Sequence, residues 1–211
     1  MTVTEVDLPK SLRNEAERER RMAALESPHV AGLNALVAQI RGETGRYENV
    51  PYFDPLDGGE NAKCLFLMEA PGPKAVATGF ISRNNPDETA RNFFEFNLEA
   101  RIPRQQTVLW NTVPWYIGSG TKIRSADRQD ILAAGPYFER LFGALTRLEV
   151  VALMGDKAYS AKEEILKYLN PGIRIVRMKH PSPKYVNRRP GNRPLLKKQF
   201  DELAELLLPS D

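Results

Sequence analysis

The sequence predicts an α/β protein with a central, mainly parallel four-stranded sheet covered by helices on both faces, a three-layer α/β/α sandwich. Four short apolar runs predict the strands, because continuous rather than alternating hydrophobicity is typical of strands buried on both faces. Helical patterns fill the intervals, and strand–helix alternation indicates parallel strands joined by right-handed crossovers. The predicted strands cover residues 64–68, 107–110, 150–154 and 174–178.

The helical segments are predicted from amphipathic spacing. The first of them opens at Ser27-Pro28, where Leu33, Val37 and Ile40 recur at helical intervals. The later helices are expected over residues 88–100, 125–145, 157–169 and 195–208. Gly135-Pro136 should bend the second of these four.

Residues 1–26 are predicted to form a charged helical arm. Glu17 and Arg21 have the spacing of an ion pair on a helix, and apolar residues are sparse, so a solvated helix or a loose arm fits. Residues 27–211 are predicted to form one α/β domain, because no repeat, low-complexity tract or long linker divides them.

Scarce residue types exclude several classes of site. Cys64 is the only cysteine among the 211 residues, so one chain has no disulfide framework, no four-cysteine zinc site and no cysteine-ligated iron–sulfur cluster. His29 and His180 are the only histidines, so we expect no metal site and no cofactor. No apolar stretch is long enough for a membrane helix and no signal peptide is recognisable, so we expect a cytoplasmic protein without a membrane partner.

The net charge of +3 conceals an uneven distribution. Eight of the 30 Lys and Arg residues lie in residues 177–198, which contain no acid. The rest of the chain has 22 basic and 27 acidic residues, a net charge of −5. One local cationic segment on an acidic body indicates an anionic partner such as a nucleic-acid backbone.

Polar side chains follow two of the predicted strands, at the edge of a parallel sheet where ligands collect. Glu69 follows the first strand and could orient or deprotonate a water molecule, but it could equally cap the next segment or pair with Lys74. Asn111 follows the second strand. Its amide has the donor and acceptor needed to read a pyrimidine edge, although an Asx-turn would also favour asparagine.

The last predicted strand leads into His180-Pro181-Ser182-Pro183, inside the cationic segment. A histidine held by this rigid loop can donate a hydrogen bond to an oxygen on which negative charge develops. The alternative is a histidine bonded to a nearby carbonyl in a solvated basic loop. Ser182 and the cations after it can bind phosphates without reading sequence. These cations are Lys184, Arg188, Arg189 and Arg193.

Together, these strand ends resemble the uracil-DNA glycosylase superfamily. Residues 69–72, Glu-Ala-Pro-Gly, are similar to the first motif of the branch that carries GEAPG, with Met68 in place of the leading glycine. Asn111 is similar to the uracil-reading asparagine, and residues 180–183 match the HPSP form of the last motif. The resemblance spans roughly residues 64–193. The single cysteine departs from that branch, whose members usually carry a four-cysteine iron–sulfur cluster.

The resemblance implies a monofunctional glycosylase that flips uracil out of DNA and hydrolyses its N-glycosidic bond. Glu69 would position or activate the water, and His180 would stabilise negative charge on the departing base. Phe80 would stack on uracil, unless it only packs in the core, and Tyr185 or Val186 would fill the gap in the duplex. The uracil-binding residues would be Ala70, Phe80, Asn111 and His180. The DNA-binding residues would be Pro71, Gly72, Ser182, Lys184, Tyr185, Arg188, Arg189 and Arg193.

Two other functions are also compatible with the sequence. One is a protein that binds uracil or damaged DNA with little or no turnover, because Met68 replaces the glycine beside the candidate catalytic carboxylate. The other is an unrelated hydrolase of nucleotides or phosphoesters. For the leading function we expect uracil-containing DNA as partner, a monomeric state and activity at a bacterial-type nucleoid.

Overall fold

The computed structural model describes residues 7–119 and 124–208. In chain order, its strands are β1 (Tyr52–Phe53), β2 (Cys64–Met68), β3 (Phe80–Ile81), β4 (Thr107–Asn111), β5 (Val150–Met154) and β6 (Arg174–Met178). Four of them form an all-parallel sheet in the order β4-β2-β5-β6, while β1 and β3 pair separately. The predicted fold class and all four predicted strands are therefore confirmed.

Helices flank this sheet. They are α1 (Glu15–Ala23), α2 (Ala31–Thr44), α3 (Pro73–Thr78), α4 (Glu88–Glu99), α5 (Arg128–Ala144), α6 (Asp156–Ser160), α7 (Lys162–Leu166), α8 (Pro183–Val186) and α9 (Asn192–Leu207). The single helix predicted over 157–169 is wrong, because a turn at Ala161, whose N–H bonds to the Ala158 carbonyl, separates α6 from α7. Within the described ranges, no helix has the length and apolar character of a membrane span.

Two short helices were not predicted, because their sequences also fit loops. Both α3 and α8 begin at a proline, whose fixed φ suits the first helical turn but also suits many turns. Each follows a motif of the candidate site. In α5, by contrast, Pro136 lies inside a helix that begins at an Asp127 capping box.

The strand β6 differs from its prediction in burial. Arg174 and Arg177 are exposed on it, and since they lie three residues apart, on opposite faces of the strand, both faces of this edge strand reach solvent. The opposite edge strand, β4, is buried at every position. There the Phe53 ring stacks on Trp110 with ring centroids 3.8 Å apart, so the segment around β1 covers this edge.

The core on one face of the sheet is aromatic. Phe66 on β2 meets Phe93 on α4 edge to face, with 4.8 Å between ring centroids. Phe96 on α4 stacks on Phe200 on α9 at 5.5 Å. All four rings are fully buried, and this packing fixes α4 and α9 against the strand that precedes Glu69.

The N-terminal segment contains the predicted helix, α1, and its described part packs onto the rest of the chain. Leu12 and Arg21 are almost fully buried. The side chain of Asn84 donates to Asp7 at 2.8 Å and to the Leu8 carbonyl at 2.7 Å, which ties the chain start to the loop after β3. The division into an arm and a domain at residue 26 stays a prediction.

A buried ionic cluster joins this segment to the loops after β1 and β3; it consists of Arg21, Asp54, Asp57, Arg83 and Arg104. Arg104 donates to Asp54 at 2.7 Å and to Asp57 at 2.8 Å. Arg21 pairs with the same Asp54 oxygen, Oδ2. Buried charges persist only when they are paired and hydrogen-bonded. This cluster therefore fixes four chain segments relative to one another: α1, the loops after β1 and β3, and the turn before β4.

The two carboxyl groups of the cluster respond differently to burial. Burial alone would raise the pKa of Asp54, but Arg104 and Arg21 outweigh burial and hold that pKa below its ordinary value. Burial raises the pKa of Asp57, and Arg83 and Arg104 offset only part of the effect. Asp54 is therefore the anion on which the cluster is centred.

Loss of Arg104 should destabilise the fold strongly. The change Arg104→Met removes the charge partner of two buried carboxyl groups, and breaking a buried pair costs about 3–5 kcal/mol in free energy of unfolding. Urea unfolding with an unchanged m-value would measure this loss. The control Arg91→Ala removes an exposed pair with Glu95 and should cost about 1 kcal/mol or less. Equal losses in both variants would contradict the account.

Candidate active site

The carboxyl ends of the central strands border a cavity of about 350 Å³. Met68 on β2 lies beside Asn111 on β4, so the residues after both strands meet at one edge of the sheet. Six of the residues predicted for the site line the cavity together: Glu69, Ala70, Pro71, Gly72, Asn111 and His180. Ile81, Phe93 and Leu109 add an apolar wall.

Glu69 is held by backbone groups on both its side chain and its main chain. Its Oε1 accepts a hydrogen bond from the Ala126 N–H at 2.6 Å, just before the Asp127 cap of α5. Its carbonyl accepts from the Val113 N–H at 3.0 Å. The side chain neither caps α3, whose N-cap is Gly72, nor pairs with Lys74 among the described residues. Glu69 is therefore oriented at the cavity and forms no ion pair with a cation of residues 7–119 or 124–208.

Asn111 is 3% exposed, and its Nδ2 has no hydrogen-bond partner in the described part of the chain. The Asx-turn alternative does not hold, because the Val113 N–H that such a turn would use donates to the Glu69 carbonyl instead. A buried donor without an acceptor costs about 1–3 kcal/mol. An acceptor supplied by a ligand in the cavity would remove that cost.

His180 accepts a hydrogen bond at Nδ1 from the Ser182 N–H, at 3.2 Å. Because Nδ1 is the acceptor, the neutral ring carries its proton on Nε2. Burial lowers the pKa of His180 below its ordinary value, and Asp87 opposes only part of that effect. The ring is thus neutral near pH 7 and can donate through its Nε2–H. The sequence also allowed a histidine bonded to a nearby carbonyl, but its Nδ1 bonds to the Ser182 N–H instead.

Three contacts fix the loop around His180. The Asn92 side chain on α4 donates to the Pro181 carbonyl at 2.8 Å. The Lys179 N–H donates to Gln199 on α9 at 2.9 Å. The Met178 carbonyl accepts from the Gly155 N–H at 2.8 Å. The loop is therefore anchored on α4, α9 and the neighbouring strand end.

Seven of the eight cations of segment 177–198 fall into two groups, and the eighth, Lys179, is half-buried. Lys184, Arg188 and Arg189 are exposed and form no ion pair with a described residue. The cations paired with acids are Arg177, Arg193, Lys197 and Lys198. Arg193, predicted to bind DNA, contacts Glu95 at 3.3 Å and Glu99 at 2.9 Å, which fastens α9 to α4. The cations free for phosphates are concentrated between residues 184 and 189.

The remaining predicted residues occupy different environments. Ser182 caps α8, where its Oγ accepts from the Tyr185 N–H at 3.4 Å, and its hydroxyl hydrogen is still free to be donated. Tyr185 is half-buried against the core. Val186 is only 5% exposed, so its prediction as a wedge is wrong: its side chain belongs to the core.

Phe80 does not line the cavity. Its side chain is fully buried, and the aromatic ring in the cavity wall is that of Phe93. No sequence signal distinguishes Phe93 from the other core residues of an amphipathic helix. The loop after β3 also adds Asn85 and Asp87 to the lining, and the Asn85 side chain is fully engaged by Thr78 at 2.6 Å and the Phe80 carbonyl at 2.9 Å.

The polar side chains that line the cavity are suited to proton transfer and hydrogen bonding. Among residues 7–119 and 124–208, no group of three or more His, Cys, Asp or Glu side chains is arranged to hold a metal ion. The cavity instead combines an oriented carboxylate, a buried amide and a neutral imidazole. These can accept a proton from water, read a polar base edge and donate to a developing oxyanion.

Comparison with known proteins agrees with this arrangement. The sequence model of the family described as the uracil DNA glycosylase superfamily matches residues 55–206, which include every element of the central sheet and every residue lining the cavity. No curated protein matches the chain.

Proposed function

Since the chain belongs to the uracil DNA glycosylase superfamily, we propose that it excises uracil from DNA as a monofunctional glycosylase and leaves an abasic site. The observation that carries the proposal is the buried amide of Asn111, whose Nδ2 has no hydrogen-bond partner among the described residues, in the same cavity as Glu69 and His180. Asparagine presents one donor and one acceptor, which complement the adjacent carbonyl and N–H of a uracil edge.

The base must leave the duplex before it reaches this cavity. Flipping a nucleotide costs a few kcal/mol, which the enclosed pocket must offset. Ala70, Ile81 and Leu109 supply apolar surface for the faces of the base. Asn111 at the end of β4 then supplies the polar contact that selects one base edge.

Hydrolysis breaks the bond between the sugar C1′ and the base N1. The electron pair of that bond passes to uracil, and the Nε2–H of His180 donates to the base oxygen on which negative charge grows. Water adds to the oxocarbenium-like sugar at C1′ and gives up a proton to Glu69. The Ala126 N–H at 2.6 Å holds one carboxylate oxygen, which leaves the other for the water.

The DNA backbone would cross the exposed cations beside this cavity. Lys184, Arg188 and Arg189 have no acidic partner to displace among the described residues, and the Ser182 hydroxyl can donate to a phosphate. A Cβ at Gly72 would meet nothing within 4 Å, so the turn after Pro71 is open to a closely approaching strand. Tyr185 stays our candidate for the residue that fills the vacated position.

Three substitutions test the catalytic assignment. Glu69→Gln should lower single-turnover cleavage of a uracil-containing oligonucleotide about 10²–10⁴-fold, because a general base is lost. His180→Asn should lower it about 10²–10³-fold, the effect of losing one donor to a developing oxyanion. Asn111→Ala should also slow cleavage, because the base edge is no longer held. Strand scission after alkali treatment measures each rate.

The matched control is His29→Asn, because the His29 ring bonds to the Pro55 carbonyl at 2.8 Å and does not line the cavity. This variant should cleave like the wild type. Absence of scission above a heat-killed control would contradict the proposed enzyme, and retained DNA binding in that case would favour the binding protein with little turnover. Wild-type cleavage by His180→Asn would contradict the role of the imidazole.

The DNA-binding assignment predicts a change in salt dependence. Arg189→Ala should weaken binding uniformly across sequences and reduce the slope of log K against log salt by about 1, since one phosphate contact is lost. Lys198→Ala, which removes a cation paired with Glu202 on α9, is the control and should leave the slope unchanged. Fluorescence anisotropy over a salt series measures both slopes. Equal slopes for Arg189→Ala and wild type would remove Arg189 from the interface.

A further inference from the structure

Gly155 stands directly after β5, where the neighbouring strand leads into His180. Its φ of +91° lies in the left-handed region that favours glycine. Its N–H donates to the Met178 carbonyl at 2.8 Å, two residues before the imidazole. Gly155 and His180 are therefore held together across the ends of two paired strands.

The missing side chain of Gly155 leaves the space that His180 occupies. A Cβ on Gly155 would lie 3.0 Å from the His180 Cβ, 3.4 Å from its Cδ2 and 3.5 Å from its Cγ. The tightest of these contacts is to the atom next to the backbone, so a simple rotation of the ring would not relieve it. Asn92 and Gln199 fix the flanking backbone, which restricts its retreat.

We propose that Gly155 is a positioning residue for His180. Because Gly155 has no Cβ, the imidazole can pack against its Cα with the Nε2–H facing the cavity. The inference rests on the proposed function, in which that Nε2–H donates to the departing base. A side chain at 155 would displace the ring by a few tenths of an ångström and misalign the donor. Misplacement by about 1 Å can slow an enzyme about 100-fold.

A second glycine separates this steric effect from the effect of backbone conformation. Gly172 has a φ of +93°, nearly the value at Gly155, but a Cβ there would meet nothing within 4 Å. The variants Gly155→Ala and Gly172→Ala therefore both place a side chain at a positive φ, and only the first crowds His180. Gly155→Asn adds the same Cβ and replaces Gly155→Ala if that variant fails to fold.

The experiment measures single-turnover cleavage and DNA affinity for both glycine variants, His180→Ala and the double variant Gly155→Ala/His180→Ala. Gly155→Ala should cleave at least about 10-fold more slowly with unchanged DNA affinity, on the sensitivity of catalysis to misplaced groups. Gly172→Ala should cleave like the wild type. In the His180→Ala background, Gly155→Ala should cause no further loss, because the residue it positions is gone.

Imidazole ¹⁵N NMR gives a readout that does not depend on activity. Gly155→Ala should shift the Nδ1 signal of His180, because the bond from the Ser182 N–H is disturbed, and Gly172→Ala should not. Unchanged His180 signals in Gly155→Ala, equal rate losses in both glycine variants, or an undiminished loss in the His180→Ala background would each overturn the proposal. A wild-type protein that does not cleave uracil-containing DNA would overturn the proposed function instead, while the NMR result still decides the role of Gly155.

Discussion

Parallel pairing of the central strands is the constraint on which the candidate site depends. Because β2, β4, β5 and β6 run in the same direction, the residues that follow them collect at one edge of the sheet. Four residues far apart in sequence are brought to that edge, because each lies no more than two residues past the last residue of a strand: Glu69, Asn111, Gly155 and His180. The chemistry is thereby placed on rigid elements, and only short turns separate each polar group from the core.

The buried ionic cluster holds the loop after β3, which forms part of the cavity wall. Arg21 and Arg104 converge on Asp54, and Asn84 connects Arg104 to Asp7 at the start of the described chain. The loop after β3 that carries Asn84 also carries Asn85 and Asp87 into the cavity lining. Through these contacts the N-terminal segment stabilises the loop that lines the cavity. Its charged residues Asp7 and Arg21 therefore have a structural role as well as interacting with solvent.

Much of the sheet and the site edge could be predicted from local sequence, because a buried parallel strand has a continuous apolar run and a polar strand end follows it. The placement of Glu69, Asn111 and His180 in one cavity followed from that rule. The exposure of β6 and the burial of Phe80 did not follow, because both depend on which elements pack against which. The pairing of Arg193 with Glu95 and Glu99 could not be predicted, because these acids lie about 100 residues away in sequence. The role of Gly155 could not be predicted from the sequence either, since it depends on the His180 side chain, which is close to it only in the folded structure.

The central claim is that the unpartnered amide of Asn111 receives the edge of a flipped uracil. The most direct measurement is ¹H–¹⁵N NMR of the Asn111 side-chain amide, assigned with Asn111→Ala, during titration with an oligonucleotide carrying a 2′-fluorinated deoxyuridine that resists cleavage. The account predicts that the amide protons move downfield with this oligonucleotide and not with the matched thymidine oligonucleotide. Saturated binding of the uracil oligonucleotide with an unmoved Asn111 amide would contradict it.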